Sequence, residues 1–177
     1  MKTNHSSNDE DETGRVTPRK VGEQVAEFEL PGAGENGIEM FSLSDYTDTG
    51  ALVVSFYPFD FSPICTAQLC GFRDAEWLTF TENVDVVGIS VDSAYSHKQF
   101  REEYGLTFPL LTDRLGSVAD QFGVKYDRWE NHPAVCQRAV FAIDDTRTIR
   151  YRWHTTDANE QPSLNDLYES IEWLTEA

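Results

Sequence analysis

The segment FYPFDFSPICTAQLCGFRD, Phe56–Asp74, decides the fold class of this chain. It continues the run ALVVSFY (Ala51–Tyr57), whose β-branched and aromatic residues predict a strand that is buried on both faces. That strand should stop at Pro58, because proline has no N–H to donate to a neighbouring strand. Ser62-Pro63 then predicts a helix start, since serine is a preferred N-cap residue and proline is favoured at the first helical position.

The rest of the chain alternates in the same way between strand and helix patterns. The helix after Ser62 is predicted to run through Thr79. Further strands are predicted at 25–30, 37–43, 84–92 and 108–113, and further helices at 93–104, 116–123 and 163–176. The first of these strands should end at a Pro31-Gly32 turn. Strands at 138–144 and 148–155 should form a hairpin that turns at Asp144-Asp145.

Parallel strands joined by helices, followed by an antiparallel hairpin and a last helix, predict an α/β fold with a mixed central β-sheet. The arrangement suggests a thioredoxin-like sheet flanked by helices. The chain has 177 residues, which is about the length of one domain. Residues 1–19 are acidic and almost free of large apolar side chains, so we predict a disordered tail there and a single domain over 20–177.

Composition narrows the classes of partner and location. The chain has 31 acidic and 14 basic residues and a net charge of -17, which argues against binding to nucleic acids or anionic membranes. Lysine is scarcer than arginine, and an acid-rich, lysine-poor surface is typical of proteins from salt-loving microbes; an acidic protein from another source is the alternative. No membrane-spanning apolar run and no secretory signal are visible, which predicts a cytoplasmic protein.

Cys65 is the first candidate for chemistry. On the predicted register it is the third helical residue, close to unpaired backbone N–H groups and to the positive end of the helix dipole. Both features stabilise a thiolate, which is the reactive form of cysteine. Ligands of open α/β sheets also bind beyond the carboxyl ends of the strands. Cys65 is therefore a candidate nucleophile, and a small buried core residue is the alternative.

The spacing Pro58-x-x-x-Ser62-x-x-Cys65 matches the P-x-x-x-[ST]-x-x-C pattern of peroxiredoxins, the alkyl hydroperoxide reductase and thiol-specific antioxidant family. The strand RAVFAID, which begins at Arg138, resembles the strand that carries the active-site arginine of this family. The order of elements over 21–177 is similar as well. The resemblance implies a thioredoxin-like fold and a thiol-dependent peroxidase that needs no bound cofactor.

The resemblance also assigns roles to single residues. It implies that Cys65 attacks the peroxide and becomes a sulfenic acid. Ser62 would orient the peroxide, Pro58 would shield the thiolate from water, and Arg138 would stabilise the thiolate and the charge that develops on the peroxide oxygens. Many family members carry glutamate where this chain has Gln68, so the arginine here would contact a neutral amide.

Cys70 resembles the resolving cysteine of the subgroup related to bacterioferritin comigratory protein, which forms an intramolecular disulfide. In an intact helix, residues five apart are separated by about 7.5 Å along the axis and about 140° around it. A disulfide needs Cα atoms within about 7 Å of each other, so Cys65 and Cys70 could bridge only after local unwinding, which Gly71 would favour. Alternatively, Cys70 packs in the core beside Leu69 and the enzyme uses one cysteine.

Cys136 and the histidines carry weaker signals. Cys136 either approaches the pocket or is an incidental thiol in a loop or at a strand end, so the identity of the resolving cysteine stays open. There is no cysteine near the C-terminus, which does not favour an inter-subunit disulfide. His5, His97, His132 and His154 are scattered, C-x-x-C is absent, and no phosphate-binding glycine motif occurs, so neither a metal nor a nucleotide is expected.

The expected partners are a peroxide substrate and, as the resemblance implies, a thioredoxin-like or glutaredoxin-like reductant. The oligomeric state is not predicted. The first rival function is a general thiol–disulfide oxidoreductase, which an insulin-reduction assay would separate from a peroxidase. The second is a redox sensor, for which slow peroxide turnover with fast formation of a stable disulfide would be diagnostic.

Overall fold

A computed structural model of the chain describes residues 17–176, except the side chains of 79, 80 and 173–176. The strands over these residues are β1 (Glu29–Gly34), β2 (Gly37–Ser42), β3 (Ala51–Phe56), β4 (Val84–Ser90), β5 (Leu110–Thr112), β6 (Arg128–Trp129), β7 (His132–Pro133), β8 (Arg138–Ile143) and β9 (Ile149–Thr155). The helices are α1 (Leu43–Thr47), α2 (Pro63–Asp74), α3 (Glu76–Phe80), α4 (Ala94–Tyr104), α5 (Ser117–Gln121) and α6 (Leu164–Glu176).

The central sheet has seven strands in the order β2-β1-β5-β4-β3-β8-β9. Strands β3, β4 and β5 run parallel, whereas β1 is antiparallel to β5 and β8 is antiparallel to β3. Strands β8 and β9 form the predicted antiparallel hairpin. The predicted α/β class, with a thioredoxin-like fold and a mixed sheet flanked by helices, is confirmed.

Strand β3 lies inside the sheet and is buried on both faces, as its apolar run predicts. Leu52, Val54 and Phe56 pack into one core, together with Phe122 of the segment that follows α5. The opposite face carries Val53, and the core there also contains Cys65 and Leu69 of α2, with Leu167 and Ile171 of α6. Helix α2 therefore lies against β3, and its first turn reaches the carboxyl end of the sheet.

The turn predicted at Pro31-Gly32 is wrong, because both residues lie inside β1. Strand β1 continues to Gly34 and pairs with β2, with Pro31 opposite Met40. Pro31 is tolerated because pairing of β1 with β5 begins only at Gly32, so the missing N–H costs no ladder bond on that side. A Cβ on Gly32 would lie 2.5 Å from the carbonyl oxygen of Leu110, so glycine permits the close approach of β5.

The single helix predicted from Ser62 to Thr79 is also wrong in its length. The chain leaves the helical conformation at Ala75, where ψ is 89°, and α3 starts at the next residue. The prediction for α4 is confirmed: Ser93 Oγ accepts from the backbone N–H of Ser96, and Gly105 ends the helix with φ of 60°. The short hairpin formed by β6 and β7 was not predicted.

Residues 1–16 of the predicted tail lie outside the described residues, so the tail stays a prediction. The end of that segment contacts the domain, because the backbone N–H of Arg19 donates to the carbonyl oxygen of Phe122 at 2.9 Å. No helix within the described part of the chain is long and apolar enough to cross a membrane.

Candidate active site

Cys65 lies in the first turn of α2, as predicted, and its side chain is fully buried. Pro63 is the first helical residue and Ser62 occupies the N-cap position with extended backbone angles. The Ser62 side chain makes no capping hydrogen bond to the helix, so its hydroxyl is not used to satisfy the helix N-terminus. The thiol of Cys65 is thus placed close to the unpaired N–H groups and positive dipole of α2.

Arg138 reaches the same point from the neighbouring strand. It is the first residue of β8, and because Ala139 pairs with Phe56, Arg138 lies just beyond the end of β3. Its side chain is buried, with 2% of the residue exposed, and Nη1 lies 3.4 Å from Cys65 Sγ as a donor. The structure therefore brings together the two residues that the sequence places 73 positions apart.

The acceptors around Arg138 are neutral groups. Nη1 donates to Gln68 Oε1 at 2.7 Å and Nη2 donates to the carbonyl oxygen of Ala158 at 2.8 Å. Over residues 17–176 no carboxylate forms an ion pair with this guanidinium. A buried cation without a carboxylate partner favours a nearby anion, and the Cys65 sulfur lies 3.4 Å away. The geometry thus sets the Cys65 thiol beside a buried positive charge.

Two further polar groups in this region have no partner among the described residues. They are Nε of Arg138 and the hydroxyl of Thr66, and both atoms are buried. A buried donor without a partner is rare in folded proteins and is common where a substrate binds. Arg138 Nε is therefore a buried donor that no acceptor among residues 17–176 satisfies.

Gln68 links the arginine to the sheet. Its Nε2 donates to Ser55 Oγ at 2.7 Å and, at 3.4 Å, to the carbonyl oxygen of Phe56, while its Oε1 accepts from Arg138. Both ends of the amide are therefore used, which fixes its orientation. The amide holds the guanidinium in place without neutralising its charge.

Cys65 and Cys70 both lie in α2, which is continuous from Pro63 to Asp74, and both thiols are free. Cys70 is half-buried, so it is accessible to a greater extent than Cys65. Helix geometry separates residues five apart by about 7.5 Å along the axis, which prevents a disulfide in this conformation. A Cβ on Gly71 would lie 3.5 Å from a methyl carbon of Leu164, so α6 covers α2 next to Cys70.

Cys136 lies two residues before β8, in an isolated bridge with Lys125, and its side chain is buried in the core. It is 2% exposed, and its Sγ donates to the carbonyl oxygen of Tyr57 at 2.8 Å. Burial raises the pKa of Cys136 well above the ordinary thiol value, and the charges of Asp113 and Cys65 raise it further. Cys136 therefore lies near a strand end, as expected, and its neutral thiol is packed in the core within electrostatic range of Cys65.

We expect Cys136 to resist alkylation in the native protein. Burial and a raised pKa both disfavour its thiolate, so iodoacetamide at pH 8 should label Cys136 at least about 100-fold more slowly than it labels the denatured chain. Timed labelling followed by peptide mass analysis gives the rate at each cysteine. Labelling of Cys136 as fast as labelling of the half-exposed Cys70 would contradict this assignment.

The sequence prediction missed several residues of the site region. Ala158 contributes only a backbone carbonyl, and Ser55 is hidden inside an apolar strand, so neither carries a sequence signal. His97 was grouped with the scattered histidines, yet it is fully buried and contacts Asp60 of the loop before Cys65. Its spacing of three from the core residue Phe100 on α4 is the signal that could have placed it inside.

The described residues contain no cluster of three or more histidine, cysteine or carboxylate side chains that could hold a metal ion. The site contains a buried cysteine beside an arginine, at the carboxyl end of β3. Together, fold and site define a thioredoxin-like protein with a buried thiol beside an arginine.

Comparison with known proteins narrows this class to a family. Residues 21–152 match the model of the AhpC/TSA family. A bcp protein of Coxiella burnetii, named as a candidate peroxiredoxin, is 37% identical over 136 residues, which cover 76% of this chain and 87% of that protein. The chain therefore belongs to the AhpC/TSA family and is a peroxiredoxin, a thiol-dependent peroxidase.

Solved structures agree with this assignment. The crystal structure of the peroxidoxin BcpB from Mycobacterium tuberculosis superposes with a TM-score of 0.74 at 31% identity, covering 88% of this chain and 97% of that one. A reduced 2-Cys peroxiredoxin of Plasmodium vivax has a TM-score of 0.76 at 21% identity, covering 88% of this chain and 81% of that one, and supports the fold alone.

Proposed function

We propose that this peroxiredoxin reduces hydrogen peroxide or organic hydroperoxides with Cys65 as the peroxidatic residue. One observation carries the proposal: the buried guanidinium of Arg138 lies 3.4 Å from Cys65 Sγ and has no carboxylate partner over residues 17–176. A fixed cation beside a thiol at a helix N-terminus stabilises the thiolate needed for attack. The same cation would stabilise negative charge on the peroxide oxygens.

In the first step, the Cys65 thiolate attacks one oxygen of the peroxide. The O–O bond breaks, an S–O bond forms, and the other oxygen leaves as water or an alcohol after it takes up a proton. Cys65 is thereby oxidised to a sulfenic acid, and the peroxide is reduced by two electrons. Ser62 would orient the peroxide through its hydroxyl, and Pro58 would shield the thiolate from water.

In the second step, the Cys70 thiol would attack the sulfenic acid sulfur of Cys65. The S–O bond breaks, a disulfide forms, and the oxygen leaves as water. Because both cysteines lie on α2, this step needs the first turns of the helix to unwind. Cys70 is favoured over Cys136 as the partner, since burial holds Cys136 as a neutral thiol in the core.

In the last step, a dithiol reductant of the thioredoxin-like or glutaredoxin-like kind would return two electrons to the disulfide. A cytoplasmic location belongs to this proposal, because a thiol peroxidase needs a reducing compartment that returns its cysteines to the thiol state. The origin in a salt-loving microbe stays a prediction from composition.

One equivalent of hydrogen peroxide tests the proposal directly. We expect the reduced protein to lose two thiols, and its mass under denaturing conditions to fall by about 2 Da, as a disulfide requires. Peptide mapping should identify the pair as Cys65 and Cys70. Far-UV circular dichroism should show a loss of helix on oxidation, because α2 must unwind.

The variant Cys70→Ser separates the two-cysteine from the one-cysteine mechanism. It should gain about 16 Da and keep Cys136 as a free thiol, because the sulfenic acid forms but finds no partner. A disulfide between Cys65 and Cys136 in the wild type would show that Cys136, and not Cys70, is the resolving cysteine. An absence of any rapid change in the wild-type mass would contradict the peroxidase function itself.

A further inference from the structure

The loop between β3 and α2 carries a buried carboxylate outside the contacts of Cys65 and Arg138. Oδ1 of Asp60 accepts from the Tyr57 hydroxyl at 2.7 Å, and Oδ2 accepts from the Ser96 hydroxyl at 2.8 Å. His97 of α4, which is fully buried, places Nδ1 2.9 Å from the same Oδ2. These contacts tie the loop ahead of Cys65 to α4, a helix that contributes no residue to the proposed reaction.

The geometry requires one proton between Asp60 and His97. Nε2 of His97 lies 3.1 Å from the carbonyl oxygen of Leu111, and because a carbonyl only accepts, Nε2 must carry a hydrogen. Nδ1 faces the Asp60 carboxyl group, so a neutral imidazole would set its lone pair against a carboxylate. A further proton must therefore lie between them, on either the ring or the carboxyl group.

The backbone of the same loop is held as well. The N–H of Asp60 donates to Asp92 Oδ2 at 2.8 Å, and Ser90 Oγ donates to that same oxygen at 2.6 Å. Burial raises the pKa of Asp92, and the charge of Asp60 adds to the effect. Phe61, which follows Asp60 in the loop, has a φ of 64°, which is disfavoured for a bulky side chain. Contacts on both the backbone and the side chain of Asp60 hold the loop in this disfavoured conformation.

We propose that Asp60 and His97 are positioning residues, a proton-sharing pair that fixes the segment from Pro58 to Ser62 against Cys65. The pair anchors the loop to α4, so that this loop keeps its place while α2 unwinds and refolds in each cycle. This role rests on the proposed peroxidase function of Cys65. It differs from a purely stabilising role because misplacing a group near the reacting atoms by about 1 Å can lower a rate about 100-fold in protein that is still folded.

The test compares two substitutions at Asp60 with a neighbouring control. Asp60→Ala removes the anchor, whereas Asp60→Asn removes the charge but can donate to a neutral His97 and accept from Tyr57. The Ser96 hydroxyl then accepts from the amide instead of donating to the carboxylate. Lys98→Gln lies beside His97 on α4 and changes an exposed ion pair. For each variant, the rate of Cys65 oxidation by hydrogen peroxide and the rate of its alkylation by iodoacetamide are measured, with thermal unfolding as a check of folding.

We expect Asp60→Ala to oxidise about 10- to 100-fold more slowly, with alkylation unchanged or faster. The oxidation rate of Asp60→Asn should be within about fivefold of the wild-type rate, and the oxidation rate of Lys98→Gln should equal that of the wild type. An oxidation rate within about threefold of the wild type in Asp60→Ala would overturn the proposal. Equal losses in oxidation and alkylation would overturn it too, because they would indicate only that the variant is less well folded.

Amide hydrogen exchange separates a failure of this inference from a failure of the proposed function. If wild-type Cys65 does not react with peroxide, the peroxidase function fails. The anchoring is then read from the backbone amides of residues 59–62, which should exchange faster in Asp60→Ala than in Lys98→Gln. Unchanged exchange in this segment would overturn the anchoring whether or not the protein reduces peroxide.

Discussion

Replacing Cys65 with serine should abolish peroxide reduction, with a loss of at least about 1,000-fold in kcat/KM. In the proposed mechanism the reacting atom is the Cys65 sulfur, which lies in the first turn of α2 and 3.4 Å from Nη1 of Arg138. A serine hydroxyl in the same place stays protonated at neutral pH and forms no sulfenic acid. The thiol packs in a fully buried position, so the smaller serine should leave the fold intact.

The matched control is Cys136→Ser, which removes the other fully packed thiol. Cys136 contacts the carbonyl oxygen of Tyr57, and a serine hydroxyl can donate to that same carbonyl. We expect its kcat/KM to stay within about threefold of the wild type. Both variants are compared by steady-state peroxide consumption with a dithiol reductant. Activity above a few per cent of the wild type in Cys65→Ser, or a total loss in Cys136→Ser, would move the nucleophile to another thiol.

The sequence predicted those parts of the site that depend on local order. Ser62-Pro63 specifies where α2 begins, and that start fixes Cys65 in its first turn. The apolar run before Pro58 places the strand that α2 follows. Arg138 was placed through resemblance alone, because a charged residue at the start of a strand is ordinarily solvated. Its burial depends on how β8 pairs with β3, which no local pattern encodes.

The rest of the site depends on contacts between distant segments. Asp60 and His97 are 37 residues apart, and only the packing of α4 beside the β3–α2 loop brings the carboxylate and the imidazole together. The same reason explains the errors in the fold that was predicted from the sequence. Pro31 and Gly32 signal a turn in isolation, but the approach of β5 to Gly32 makes them part of a strand. Local propensity loses to tertiary packing at these positions.

Gln68 stands where many peroxiredoxins carry glutamate, and this difference changes the charge next to Arg138. A glutamate at this position would place a carboxylate against Arg138 and share its charge. The amide seen here accepts from the same Nη1 at 2.7 Å but stays neutral, and it needs its N–H group for Ser55. In the proposed mechanism the positive charge is therefore available to the Cys65 sulfur and to the peroxide. This arrangement makes the rate especially sensitive to the shape and charge of residue 138.

Replacing Arg138 with methionine should lower kcat/KM for hydrogen peroxide about 100- to 1,000-fold, which corresponds to about 3–4 kcal/mol of transition-state stabilisation. Methionine fills most of the buried volume but removes the positive charge and every donor of the guanidinium. Arg138→Lys keeps a charge, but an ammonium group cannot reproduce the planar set of donors that reaches Cys65, Gln68 and Ala158 together. We therefore expect a loss of about 10- to 100-fold for lysine.

Arg152→Lys is the matched control, because Arg152 lies on the adjacent strand β9 and its side chain, over residues 17–176, donates to the carbonyl groups of Pro18 and Arg19. Its kcat/KM should stay within about twofold of the wild type.

Peroxide oxidation and iodoacetamide alkylation of Cys65 are measured for all three variants. A cation that stabilises only the thiolate would slow both reactions equally when it is removed. A cation that also stabilises the developing charge on oxygen slows the reaction with peroxide more, and this larger loss is the result we expect. Equal losses in the two reactions would mean that Arg138 stabilises only the thiolate. A rate of peroxide oxidation within about fivefold of the wild type in Arg138→Met would mean that Arg138 has no part in the mechanism.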